Sequence, residues 1–102
     1  MAIKNTAVNG TAVSIYTSAG NSAITTIHLC NYTAAAVQAN VYAVPSGGTA
    51  NSNTVIYSNV QITAYNSLII YQEKLILANG DAIFANVSAS SSVTATVSSI
   101  GI

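Results

Sequence analysis

The chain has almost no charge: of its 102 residues only Lys4, Glu73, Lys74 and Asp81 are ionised at neutral pH, and they sum to zero. Ordinary globular domains devote about a quarter of their residues to charge, which holds molecules apart in solution. By mass scaling, a folded monomer of 10.3 kDa exposes roughly 5,300 Å², so each charge serves on the order of 1,300 Å². Such a surface meets neighbours without repulsion, and the first expectation is a component of an assembly rather than a monomer solvated by hydroxyls and amides. Arginine is absent and lysine occurs twice. Phosphate backbones are bound by clustered cations, so nucleic acid is excluded as a partner.

Other absences narrow the field further. The single cysteine, Cys30, forms no internal disulfide and reads as a small buried hydrophobe, so stability comes from a core or from partners. A membrane span needs about twenty continuous apolar residues. The longest candidate, Leu68 to Leu77, is interrupted by Gln72, Glu73 and Lys74, so no membrane partner is expected. The opening Met-Ala-Ile-Lys-Asn-Thr holds no apolar run of the length of a secretory signal core, and standard export is not expected. Disordered chains combine low hydrophobicity with high net charge. Here 51% of residues are hydrophobic and mean hydropathy is +0.51, so the chain folds.

What is present is alternation. Runs rich in β-branched and aromatic residues repeat with a period of two: Thr11 to Thr17, Ala23 to Asn31, Val37 to Val44, Thr54 to Ile62, Asn66 to Leu77, Ile83 to Ala89 and Val93 to Ile100. In the first, Val13 and Ile15 share a face and Tyr16 points the other way. In the second, Thr25, Ile27 and Leu29 oppose Thr26, His28 and Cys30. Turn residues punctuate the runs: Asn9-Gly10, the long Pro45 to Asn53 segment, Ser90-Ser91-Ser92 and, most clearly, Asn79-Gly80-Asp81. No segment of crossover-helix length separates the strands. The expected fold is all-β, an antiparallel β-sandwich, jelly-roll or Ig-like, of about seven to eight strands. A single domain spans residues 1–102, with residues 1–8 set apart as an extended N-terminal arm.

Residues for catalysis are scarce. His28 is the only histidine, and with Asp81 and a serine it would complete a triad only formally, because no nucleophile elbow is present. One Cys, one His and two acids at scattered positions match no metal-ligand spacing; His28 and Cys30 share a strand face but cannot close a tetrahedral site alone. No catalytic residue, metal site or cofactor is assigned, and the chain is expected not to be an enzyme. Gly47-Gly48 lacks the lysine and helix of a phosphate loop. Glu73 and Lys74, adjacent on a strand, face opposite sides and read as a solvated edge. The triplets at Asn9, Asn31 and Asn86 match the glycosylation pattern, but a chain so rich in Asn, Ser and Thr generates them by chance. Tyrosine suits strand surfaces and interfaces, and it also stacks on sugar faces. Tyr32, Tyr42, Tyr57 and Tyr65 are therefore candidate contact residues, joined by Ile100 and Ile102 of the apolar C-terminus.

Several of these segments together resemble small structural proteins of tailed bacteriophages, especially those of cyanobacterial and marine phages. The similar segments are Ile15-Tyr16-Thr17, Ile27-His28-Leu29-Cys30-Asn31, Val44-Pro45-Ser46-Gly47-Gly48, Leu75 to Ile83 and Val97 to Ile102. The chain departs from that pattern at Ser18-Ala19-Gly20, where a proline-containing turn is common, and in its loss of charge. The resemblance implies a non-enzymatic virion component made in the host cytoplasm, above all a capsid cement or decoration protein. Its partners would be copies of itself, as a trimer or hexamer, and the major capsid protein. A tail or fibre structural domain and a small carbohydrate-binding module are the alternatives.

Overall fold

The computed structural model of the chain describes residues 2–70, 75–89 and 92–101. Among them are nine strands and no helix: β1 (Ala2–Val8), β2 (Val13–Thr17), β3 (Ser22–Asn31), β4 (Val37–Val44), β5 (Val55–Ile62), β6 (Ser67–Ile70), β7 (Leu75–Leu77), β8 (Ala82–Val87) and β9 (Val93–Gly101). They form two antiparallel sheets. The first runs β1-β9-β3-β6, with β7 also on β3, and the second runs β2-β8-β4-β5.

The pairing is nested. β1 pairs with β9, β2 with β8, β3 with β6 and β7, and β4 with β5. One long antiparallel hairpin has thus been rolled over on itself, which is a jelly roll and not the arrangement of an Ig domain. Because β9 covers one side of β3 along its whole length, β6 and β7 share the other. Of the expected run from Asn66 to Leu77, the described residues form β6 and β7, both antiparallel to β3. Glu73 and Lys74, together with Ile102 and Ser90-Ser91, lie outside the described residues.

Alternation holds where both faces have work to do. Val93, Ala95 and Val97 of β9 point inward with Ile27 and Leu29 of β3, against Val37, Ala39 and Val41 of β4 and Ile83, Ala85 and Val87 of β8; none is more than 3% exposed. The alanines let opposing branched side chains interdigitate in a core roughly 10 Å thick. The radius of gyration, 12.7 Å, is that of one folded unit of this length.

Two β-bulges change the expected phase. Register across β3 and β9 shifts between Ile24 and Thr26, leaving Thr25 as an extra residue. Ile24, only 1% exposed, therefore faces the core together with Ile27, and Thr25 loses the inward place that strict alternation gives it. Register likewise shifts between Ser14 and Tyr16 of β2. Ile15 is fully buried, and Tyr16, opposite Ile83, packs partly against the core instead of pointing away.

Residues 2–8 are edge strand β1, not a free arm. Ile3 points outward and Val8 inward, so no apolar alternation marks the strand in the sequence. The register with β9, supported by Thr96 Oγ1 donating to Asn5 Oδ1 at 2.8 Å, holds it in the sheet. Thr6, facing Ala95, has its hydroxyl buried without a hydrogen-bond partner.

Asn31 fastens one end of the sandwich. Fully buried at the end of β3, its Nδ2 donates to the carbonyls of Ala35 (2.8 Å), Ile62 (3.2 Å) and Thr63 (3.2 Å). Its Oδ1 accepts from the Thr33 backbone N–H (3.0 Å) and hydroxyl (2.7 Å). One side chain thus joins the β3–β4 and β5–β6 connections. At the opposite end Asp81 accepts backbone N–H bonds from Ser46 (2.9 Å) and Ala78 (3.0 Å), tying the β7–β8 turn to the loop after β4.

Candidate interaction surface

Tyr32 and Tyr65, 51% and 73% exposed, are brought to the end that Asn31 fastens. The Tyr32 N–H donates to Ser92 O, and the Tyr65 N–H to Thr33 O, each at 3.0 Å. Tyr65 takes a positive φ of 56° in the turn between β5 and β6, which turns its ring off the strand line and breaks the alternation there. Tyr42 is elsewhere, half-buried on the outer face of the second sheet. Tyr57 packs against the core opposite Val41. Ile100 stands on the outer face of the first sheet. The candidate contact residues thus divide among one end, one core margin and two opposite faces.

Amide hydrogen bonds join much of the outer face of the second sheet, although Ile56 of its edge strand β5 is 40% exposed. Asn40 and Asn86 lie directly opposite on β4 and β8, and Asn40 Nδ2 donates to Asn86 Oδ1 at 3.0 Å. The Tyr42 hydroxyl donates to the same oxygen at 3.3 Å. Asn40 Oδ1 accepts the backbone N–H of Asn59 (2.8 Å), a residue at φ 53° where β5 is bulged. Asn86 Nδ2 reaches Gly10 O at 3.4 Å. These amides bond laterally across strands β4, β5 and β8 and the β1–β2 turn.

The outer face of the first sheet is different in kind. Its register sets Ile3 beside Ser98, and Ile100 and Ile76 on either side of Ala23, with Ile69 beside His28. The four isoleucines are 73%, 41%, 66% and 48% exposed for Ile3, Ile100, Ile76 and Ile69. Between them lie Thr26, Thr94, Thr96 and Ser98. Cys30 sits on this face too, opposite Thr94 and Ser67, and is exposed rather than buried. Strand alternation alone decides this: Leu29 and Asn31 turn inward, so Cys30 between them turns out. No charged side chain lies on this face among the described residues. Lys4 occupies the alternate, Val97-facing positions of β1.

The scattered chemical groups stay scattered. His28 stands mid-sheet on the first outer face, while Asp81 holds its turn at one end of the sandwich. Among the described residues, no three of His, Cys, Asp and Glu come together in a group. Beside Asp81, an open cleft of about 200 Å³ lies between β7 and the end of β4, lined mainly by Val44, Pro45, Leu75, Ile76 and Leu77. Gly47 and Gly80 supply positive φ in the turns, and a Cβ on Gly80 would lie 2.6 Å from Ser46 Oγ. No helix among the described residues is long and apolar enough to cross a membrane. The Ser22 hydroxyl, then that of Ser99, pull the Tyr16 phenol below its usual range, against an opposing push from desolvation.

Of the outward isoleucines only Ile100 was singled out from the sequence, and the set was not legible there, because β1, β7 and β9 are remote in the chain. Searched against family models, curated proteins and solved structures, the chain matches none. The molecule itself is a jelly-roll sandwich in which amides bond one another across the second sheet, while four exposed isoleucines stand on the outer face of the first with no charged side chain beside them among the described residues.

Proposed function

We propose that the chain is a non-enzymatic structural protein of a bacteriophage virion, acting as a capsid cement or decoration protein through oligomeric contacts. The observation that carries this reading is the uncharged surface from which large apolar side chains stand out: Ile3, Ile69, Ile76 and Ile100 on one sheet face, Tyr32 and Tyr65 at one end. Large apolar side chains grouped in exposed positions mark a candidate association site. In a shell of many copies, individually weak contacts add by multivalency, so no single strong anchor is required. Jelly rolls serve in viral shells, an analogy at the level of fold only. Its partners would be copies of itself and the major capsid protein. Quantitative mass spectrometry of purified parent particles tests the reading: a copy number scaling with the shell supports it, one scaling with the tail supports a tail or fibre domain, and absence from the particle removes both.

The paired exposure of Tyr32 and Tyr65, flanked by Asn and Thr side chains, favours a second reading as a carbohydrate-binding module. Binding on a glycan array that is lost in Tyr65→Ala would support it, and no binding would remove it.

A further inference from the structure

The four outward isoleucines raise the question of what covers them. We infer that the outer face of the β1-β9-β3-β6 sheet is a self-association surface, stacking on the same face of a second copy of this chain. The inference rests on the assembly reading above and names the surface that serves it.

Three observations select that occupant. First, a partner carrying charges would have to desolvate them against a face that, among the described residues, offers no counter-charge, which is unfavourable. An equally uncharged surface is needed, and this face of a second copy is one. Second, the area suffices. Strands of 7, 9, 10, 4 and 3 residues (β1, β9, β3, β6 and β7), about 4.8 Å apart and rising about 3.3 Å per residue, give a footprint of roughly 520 Å². Side-chain relief raises the accessible area above that footprint, toward the roughly 800 Å² per partner of a standard interface. Third, the relief is self-complementary in kind. Ile76 and Ile100 stand on either side of Ala23, which leaves a hollow where an isoleucine of a second copy can seat, while farther along β3 the face continues as Thr26, His28 and Cys30. The opposite outer face lacks this property, because its amides already bond one another.

Cys30 is a built-in reporter. It lies exposed on the face in question, and stacking shields it from alkylation. The experiment is sedimentation of the full chain over a concentration series, with maleimide alkylation of Cys30 followed in parallel. Self-association is expected, with Cys30 reacting more slowly as association proceeds. Ile76→Glu and Ile100→Glu, both at exposed positions, should each weaken association by roughly 100-fold or more, since each desolvates a carboxylate against apolar side chains. Gln61→Glu on β5 of the other sheet should leave it unchanged. The wild-type reporter needs no variant to fold.

Association that persists in both glutamate variants, with Cys30 equally reactive at every concentration, overturns the inference. Pairing through the unbulged β1 edge would give that result and would be broken by Asn5→Pro. A wild-type chain that stays monomeric throughout also overturns it. The assembly reading itself falls only if the protein is in addition absent from the virion.

Discussion

On the outer face of the β2-β8-β4-β5 sheet, Asn40 and Asn86 sit directly opposite and bond each other, while across the core Ile3, Ile69, Ile76 and Ile100 face water. Both faces come from the same uncharged sequence. The difference lies in what each residue type can do with a cross-strand neighbour. An amide carries donor and acceptor, so one lateral partner satisfies much of it at no cost in solubility. An exposed isoleucine on a sheet surface gains only by losing water, which a neighbour in the same sheet provides in part and a second surface provides fully. Lack of charge therefore yields two kinds of surface, one closed and one open.

The largest expected effect removes the comparison by loosening both sheets. Asn31→Ala removes five hydrogen bonds at one end of the core, with Ala35 O keeping the Thr33 hydroxyl and Thr63 O keeping the Asn66 N–H, and should cost about 3 kcal/mol in chemical denaturation. A loss under about 1 kcal/mol would show that water replaces the side chain there.

On the open side of the sandwich, Thr6→Val removes the one unpartnered buried hydroxyl found among the described residues, with shape nearly retained. It should raise stability by about 1 kcal/mol. On the closed side, Asn86→Ala should lower stability by about 1 kcal/mol, because Asn40 and Tyr42 lose their shared acceptor. A double-mutant cycle with Asn40→Ala should return a coupling; strict additivity would mean the face is not closed by this bond.

Ile69→Thr sharpens the contrast from the other direction. Monomer stability should move by less than about 0.5 kcal/mol, since the side chain is half exposed, while self-association weakens.

The smallest effect is at high pH. The lowered phenol of Tyr16 means the folded state favours its phenolate. The resulting stability is absent below the folded pKa, appears as pH rises through it and is complete above the unfolded value. The stability difference between wild type and Tyr16→Phe should grow through that alkaline window, and a flat difference would place the serine hydroxyls elsewhere.

Much of the fold is legible in period-two alternation. The run Val37 to Val44 coincides with β4, and Val93 to Ile100 falls one residue short of β9. Asn79-Gly80-Asp81 marks its turn because only glycine meets both the positive φ and the approach of Ser46. The failures have specific causes. β1 has no apolar alternation, since its outward Ile3 and inward Val8 belong to opposite phases. Ile24 and Tyr16 reach the core only through bulges, which local pattern does not announce. Asn31, whose triplet carries no signal in the sequence, is a hub because the remote carbonyls of Ile62 and Thr63 converge on it together with the local one of Ala35.

By itself the sequence determined a strand-built chain with a branched-aliphatic core and a surface nearly free of charge, because alternation and composition are local properties. Tertiary structure alone decided that the hairpin rolls into a jelly roll, and that Ile3, Ile69, Ile76 and Ile100 share a face while Asn40 and Asn86 answer each other on the opposite one. Those outcomes depend on register between residues as far apart in the chain as Ala2 of β1 and Ser99 of β9. Register is fixed by the packing of the whole core rather than by any segment within it.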